Sequence, residues 1–535
     1  MNNRLKIATA GCLIAATCLS ACSKNEAPAN TGENAEASGK ITLAMVRDSF
    51  TDVHPASKDL WMWKKYEEKT GIHVEWEELP GESAAERKNI ILGSGKLPDA
   101  FYQTGFSNDE LIKYGGQGLF VPLEDMIETH APNLKKLFDE HPDIKKTLTM
   151  PDGHIYSLPY IDEALPYRSI RLYINQTWLD RLGLQVPKTT DELNDVLKAF
   201  IDQDANGNGD ATDEMGWVMP SNFVNSMFER QLLGSFGLGN GGLKAAQSWI
   251  YKDKDDQLKL VFNDPKYKEV WKYMNKLYNE GILPKLNYSG YEYAQWAADA
   301  AKDKVGAFSW ADPAYIGSEG PKNFIGINVL EGPGGDKVVN WMDPMTRGTS
   351  SFTITKSNKH PEETLEWVDY FYGEEGSKFG YLGLEGETYK TVNGKPQYID
   401  EILDYKGGIQ LGAFQYVDNV YGGGYPYVEP SAELRSEVKG KTVEDDFKTD
   451  TKELAAFLPQ DIWPDFIPTT EESKDQAAIL TDINKYIKEM RVKFVTGQAN
   501  FDGDWETYVK TLDKMGAQKY LEIKRKQYDR YSNAN

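Results

Sequence analysis

The densest cluster of hard oxygen ligands in the chain is Asp202-Gln-Asp-Ala-Asn-Gly-Asn-Gly-Asp-Ala-Thr-Asp213-Glu214. Oxygen-bearing side chains at alternate positions, with glycine permitting a tight turn, are what a seven-coordinate calcium ion requires. Counted from Asp202, positions one, three, five and nine are Asp202, Asp204, Asn206 and Asp210; Gly207 is sixth and Asp213 twelfth, where an EF-hand prefers glutamate. So many carboxylates in one turn repel one another without a cation. A solvated turn rich in Asp and Asn is the plainer alternative. Calcium brings no redox chemistry and no nucleophile adjoins the loop, so a structural ion is expected.

Patterns that would carry catalysis are sparse. His-Glu-x-x-His, Gly-x-Ser-x-Gly and the phosphate-cradling Gly-x-x-x-x-Gly-Lys-Ser/Thr are all absent. The six His, at 54, 73, 130, 141, 154 and 360, show no ligand-like spacing. Asp162-Glu163 could serve as a glycosidase dyad, but 82 acidic residues make such pairs expected by chance.

At 535 residues the chain exceeds the size at which one core keeps growing, so two lobes are expected. Its 40% hydrophobic and 12% aromatic content excludes a largely disordered chain. With 13 Trp and 30 Tyr, some aromatics are expected to line a cleft rather than fill a core. A formal charge of −22 repels phosphate backbones, which argues against nucleic acid as a partner. Cys12, Cys18 and Cys22 are the only cysteines, so the body after them holds no disulfide and no thiolate metal site. That absence suits an oxidising, extracytoplasmic compartment.

Arg4 and Lys6 precede an apolar run from Ile7 to Leu19, the pattern of a signal peptide over residues 1–21. Leu19-Ser-Ala-Cys22 resembles the bacterial lipobox, which implies that Cys22 is acylated, palmitate included, and becomes the first mature residue. Two or more acyl chains hold a protein firmly to a membrane. Residues 22–40 are mostly Ala, Asn, Glu, Gly and Ser and read as a flexible tether. The expected location is the extracytoplasmic face of the cell membrane.

The folded body is expected to start near Ile41. Ile41-Thr-Leu-Ala-Met-Val46 reads as a buried strand, Leu60 to Lys69 as a helix and Ile72 to Glu77 as a second strand. Ser83 to Leu92 then reads as a helix and Pro98-Asp-Ala-Phe-Tyr102 as a third strand. This β-α-β-α-β order predicts an α/β fold built on a mainly parallel sheet, with ligands beyond the carboxyl ends of its strands. Arg47, Asp48, Tyr102, Gln103 and Thr104 sit at those ends.

Further on come Asp152-Gly-His-Ile-Tyr-Ser-Leu-Pro-Tyr160, Arg171-Leu-Tyr-Ile-Asn175, Trp178-Leu-Asp-Arg-Leu-Gly183 and Pro187-Lys-Thr-Thr-Asp-Glu-Leu193. Asp303-Lys-Val-Gly-Ala-Phe-Ser-Trp310, Thr346-Arg-Gly-Thr-Ser-Ser-Phe-Thr-Ile-Thr355, His360-Pro-Glu-Glu-Thr-Leu-Glu-Trp-Val-Asp-Tyr-Phe371 and Lys493-Phe-Val-Thr-Gly497 follow in order. This succession resembles the family 1 extracellular solute-binding proteins, specifically large oligosaccharide-binding lipoproteins.

The resemblance implies a two-lobed periplasmic-binding-protein-like fold, each lobe a mainly parallel sheet flanked by helices, joined by a multi-strand hinge. It implies a first lobe of 41–160 plus 286–343 and a second of 165–285 plus 348–535. The family's calcium loop, laid on this chain, draws side-chain oxygens from Asp204, Asn206 and Asn208, a backbone carbonyl from Asp210, and closure from Asp213 and Glu214. The implied function is capture of a carbohydrate, an oligosaccharide given the size, by a monomer that delivers it to ABC permease subunits. An exported glycoside hydrolase or lyase, and a surface adhesin or sensor, are the competing readings. Aromatic platforms and planar polar groups suit sugar rings. The candidates are therefore Tyr102, Gln103, Tyr160, Trp217 and Trp310, with Arg47, Asp48 and Arg347 as polar partners. Arg47 and Arg347 would pair with the carboxylate of an acidic sugar.

Overall fold

Thr42–Asp48 (β1), His73–Leu79 (β2) and Ala100–Tyr102 (β3) form the expected parallel set, in the order β2-β1-β3. The structure, a computed structural model, describes residues 40–49, 55–238, 249–310, 323–327, 329–339, 342–406, 409–418, 424–431, 434–435, 438, 452, 454–459 and 461–534. The signal peptide, Cys22 and the tether up to residue 39 lie outside the described residues. The helices Trp61–Thr70 and Ala84–Ser94 connect the three strands. Each helix ends on a glycine in the left-handed region, Gly71 at φ 71° and Gly95 at φ 72°, where a side chain would be strained.

The remaining strands are Leu158–Ile161 (β4), Arg171–Asn175 (β5), Met215–Trp217 (β6), Ile250–Lys252 (β7), Leu258–Leu260 (β8), Val305–Trp310 (β9), Phe324–Ile327 (β10), Thr346–Ile354 (β11), Tyr389–Val392 (β12) and Lys395–Tyr398 (β13). The first sheet has the order β2-β1-β3-β11-β4, and the second β10-β5-β9-β6. Strand β11 runs antiparallel to both β3 and β4, and β5 antiparallel to β9 and β10. Strands that arrive from the other lobe enter against the local direction, so both sheets are mixed.

Each sheet has its own apolar core. One contains Leu43, Trp63, Tyr102, Leu158, Phe352, Trp367 and Tyr427; the other contains Leu172, Trp178, Trp217, Trp271, Phe308, Phe494 and Tyr508. The lobe boundaries expected from sequence need correction. Strand β9 and strand β10 pair with β5 in the second sheet, so residues 305–310 and 324–327 are second-lobe chain. Strand β11 lies in the first sheet, and Leu365 to Val438 contribute to the first core before Trp463 to Leu521 return to the second. A buried strand such as Val305-Gly-Ala-Phe-Ser-Trp310 has the same local pattern in either lobe. Its ladder partner, more than a hundred residues away, decides its membership.

Capping boxes at Ser107–Glu110, Thr189–Glu192 and Thr469–Glu472 start three of the helices, each satisfying otherwise unbonded amides. The last of these opens the 26-residue helix Thr470–Val495, which packs on Pro265–Asn279 and on Ala517–Asn533. No helix among the described residues is long and apolar enough to cross a membrane.

Candidate functional site at the crossover

Chain passing from β4 to β5 meets chain passing from β10 to β11 side by side. Asp162 N donates to Met345 O at 3.0 Å, Asp343 N donates to Arg168 O at 2.7 Å, and Ser169 bridges Met342 in antiparallel register. Arg168 Nε also donates to Asp343 O at 2.8 Å. These paired segments bring the carboxyl ends of β1, β3 and β4 and the start of β11 to one sheet edge. Asp48, Gln103, Asp162 and Arg347 stand there. Strand β11 slips register against β4 on either side of Gly348, an irregularity of the kind that re-aims side chains.

A charged and aromatic cluster occupies this edge. Arg435 gives Nη2 to Asp162 Oδ1 at 2.6 Å and Nη1 to Asp162 Oδ2 at 3.4 Å, and lies 3.6 Å from Glu429. Arg347 is 3.6 Å from Asp162 and 3.8 Å from Asp343, with its guanidinium 6.0 Å from the centre of the Tyr160 ring. Tyr160 stacks on Tyr427 at 5.9 Å, and its hydroxyl donates to Glu429 at 2.7 Å. Burial pushes the Glu429 carboxyl up; Arg435 opposes that and Asp162 reinforces it. Burial works to lower the Arg347 guanidinium, but Tyr160, Asp162 and Asp343 outweigh it. Arg347 keeps 32% of its side chain exposed and Asp162 only 1%.

The other sequence candidates divide into edge and core. Asp48 is half-buried, and burial raises its carboxyl despite the nearby charges of Lys88 and Arg47. Gln103 holds a left-handed φ of 56°, unusual for a residue with a side chain and the sort of strain found at binding sites. Trp310 is half-buried at the end of β9, opposite Arg171 and 6.0 Å from Trp296. Thr104 is buried.

Arg47, Tyr102 and Trp217 are closed off from solvent and support the edge from behind instead of lining it. Arg47 donates through both terminal nitrogens to Asp418 and through Nη2 to Gln103 Oε1 at 3.0 Å. Tyr102 meets Trp63 and Trp76 edge-on at 5.6 and 5.4 Å. Trp217 sits in the second core with Nε1 donating to Ser309 at 3.2 Å. The sequence did not distinguish an aromatic at a strand end from one in the strand's core face. Asp162 and Glu163 make no dyad: Asp162 is buried against Arg435, while Glu163 is half-exposed, with His141 as its neighbour at 3.9 Å.

Asp343, Asp418, Glu429 and Arg435 went unnoticed in the sequence. The run Tyr425-Pro-Tyr427-Val-Glu429, two aromatics before an acid, was the one signal that could have drawn attention to it.

The acidic loop folds between the helix Thr190–Asp202 and β6. Gly207 and Gly209 take φ of 72° and 92°, and a Cβ on Gly207 would lie 2.8 Å from Arg181. Asp204 Oδ2 accepts from Gly209 N at 3.0 Å, and Asp213 accepts from the Asn206 and Asn208 amides. Lys304 pairs with Asp213 at 3.0 Å. Asp210 turns its carboxylate onto Thr212, leaving its carbonyl oxygen as the ligand it could offer. Asp204 Oδ1 and Glu214 Oε2 are buried without a hydrogen-bond partner. Two orphaned carboxylate oxygens beside amide oxygens fit a hard cation. No group of three His, Cys, Asp or Glu able to hold a metal by itself occurs among the described residues, so amide and carbonyl oxygens would have to complete the shell.

Comparison with known proteins adds three findings. The family model described as bacterial extracellular solute-binding protein matches residues 51–378. The fructooligosaccharide ABC transporter substrate-binding protein FusA of Streptococcus pneumoniae is 31% identical over 497 residues, covering 88% of this chain and 86% of FusA; lipoprotein LipO of Bacillus subtilis is 26% identical, covering 71% and 73%. Among solved structures, a FusA EF-hand mutant in complex with fructo-nystose matches with TM-score 0.71 at 27% identity over 92% of this chain and 99% of that one. An HMO-binding, ABC-transporter-associated solute-binding protein of Bifidobacterium longum infantis matches with TM-score 0.75 at 25% identity, covering 93% and 100%.

Proposed function

This chain belongs to the bacterial extracellular solute-binding protein family, and we propose that it captures an oligosaccharide between its two lobes and delivers it to the permease of an ABC importer. It is a binding protein and not an enzyme, as the relatives named for substrate binding are. The observation that carries the reading is the edge where the crossover segments meet. There Asp48 and Arg347 stand half-buried on the first lobe with Gln103 and Tyr160 buried behind them, and Trp310, half-buried, ends β9 of the second. A flat aromatic takes the apolar face of a sugar ring, and carboxylate and amide groups take its hydroxyls. Closing two rigid lobes about a few crossing segments would enclose the cargo and exclude water.

Two further parts complete the proposal. Calcium in the acidic loop would be held by side-chain oxygens of Asp204, Asn206, Asn208, Asp213 and Glu214 and by the Asp210 carbonyl, neutralising charge that Lys304 alone does not. Its contribution there is rigidity of the turn between the Thr190–Asp202 helix and β6. Cys22 would carry the lipid that keeps the receptor beside its permease on the outer face of the membrane.

Titration calorimetry with kestose, fructo-nystose and milk-type oligosaccharides tests the central claim. Saturable binding of one of them, with the sugar recovered intact, is the expected result. Absence of binding to any oligosaccharide, or its cleavage, would sink it.

A further inference from the structure

The cations at the crossover bear on whether the cargo is charged, a question that rests on the carbohydrate reading above. A uronate in a dry cleft needs a cation for its carboxylate, and a bidentate guanidinium is the strongest such partner. The two arginines that sequence places at strand ends for this purpose are both committed to the protein. Arg47 is fully buried and gives its two terminal nitrogens to Asp418, with Ser57 and Gln103 accepting further bonds. Arg347 lies between Asp162 and Asp343.

Other cations at this edge are engaged as well. Arg435 is held by Asp162 and Glu429. Lys88 reaches Glu110 at 3.3 Å and the Thr104 and Gly105 carbonyls at 3.5 Å. Arg168 donates to the Asp343 carbonyl. On the second-lobe side Arg171 lies over the Tyr173 ring, and Arg230 also has partners.

A uronate entering here would have to draw Arg347 away from Asp162 and Asp343, or Arg435 away from Asp162 and Glu429, weakening pairs that are partly or wholly removed from water. A neutral sugar makes no such demand. Its hydroxyls can donate to the half-buried Asp48, and its ring face can rest on the half-buried Trp310. The formal charge of −22 adds long-range repulsion of an anionic cargo. We infer that the cleft selects uncharged oligosaccharides and rejects uronates, with Asp162 and Asp343 setting that preference by occupying Arg347.

The full chain is titrated with an uncharged panel (fructooligosaccharides and neutral milk-type oligosaccharides) and with oligogalacturonate and oligomannuronate, at low and at physiological salt. Expected is binding confined to the uncharged panel, with any uronate at least about 100-fold weaker. The variant Asp162→Asn, which removes the carboxylate shared by Arg347 and Arg435 and leaves each with one acidic neighbour, should gain uronate affinity by about tenfold or more. Should it fail to fold, Asp343→Asn leaves Arg347 facing Asp162 alone and is expected to gain in the same direction, by less. Uronates that bind the unaltered chain as tightly as the best neutral sugar would overturn the inference while leaving the carbohydrate receptor standing. Silence from both panels would remove both. Folded variants with no gain for uronates would also count against it.

Discussion

Asp162, at the end of β4, accepts from both terminal nitrogens of Arg435, a residue 273 positions further along the chain. The pair is nearly water-free and sits where two crossover segments meet. It ties the tail of the first core to the hinge, and it holds one of the carboxylates that face Arg347.

Removing one partner of this pair should be costly. Arg435→Met leaves Asp162 buried beside Glu429, and about 3–5 kcal/mol of stability should be lost. Urea unfolding measures it. The double variant Asp162→Asn with Arg435→Met should recover much of that loss, because no charge is then stranded.

Calcium should matter through the loop and not through the cleft. If the ion binds at a hundred times its dissociation constant, folding gains about 2.7 kcal/mol. A chelator should therefore lower the melting temperature by several degrees. Asp204→Ala and Glu214→Ala, which remove the two orphaned carboxylate oxygens, should abolish the response to added calcium, read by differential scanning calorimetry.

Lys524 gives the pH dependence a definite sign. Burial pushes its ammonium down to about 8, against the opposing charges of Asp465 and Glu472. Unfolding restores the ordinary, higher affinity for the proton, so the unfolded chain binds more protons between about pH 8 and pH 10.5. Stability from this group should rise across that window, by roughly 3 kcal/mol, and be flat below it. Lys524→Met should remove the slope in unfolding curves taken at pH 7.5, 9 and 10. An unchanged slope would mean the ammonium is not desolvated.

Trp310 should report closure. It is half-buried at the end of β9, on the second-lobe side of the edge, whereas Trp217 and Trp63 are buried in the cores. Trp310→Phe is expected to erase most of the ligand-induced fluorescence change and to weaken binding by about 1 kcal/mol or more, since a smaller ring stacks less surface. Trp217→Phe should leave affinity unchanged and lower stability.

How far the sequence reached depended on the range of the interaction. The helices around Met62 and Leu92 and the strands on either side of them came from apolar spacing and glycine stops, which act within one or two turns. The boxes at Ser107, Thr189 and Thr469 are likewise complete within four residues. For the candidate site, place at a strand end did not tell accessible residues from buried ones. Asp48, Trp310 and Arg347 keep partial access to solvent at strand ends, but Arg47, Tyr102, Gln103 and Tyr160 occupy similar places and are buried. Strand alternation says which residues share a face, not which face the opposite lobe covers.

The sequence by itself determined the cysteine-free body after Cys22 with its acidic oxygen-rich loop and the run of elements that places the chain among solute-binding proteins, because these are carried by residues close together in the chain. Only the tertiary structure decided that β9 belongs to the second sheet and β11 to the first, and that Arg47 is satisfied by Asp418, 371 positions away. Charges pair across whatever space folding closes, and no local pattern records which carboxylate will arrive at a given guanidinium.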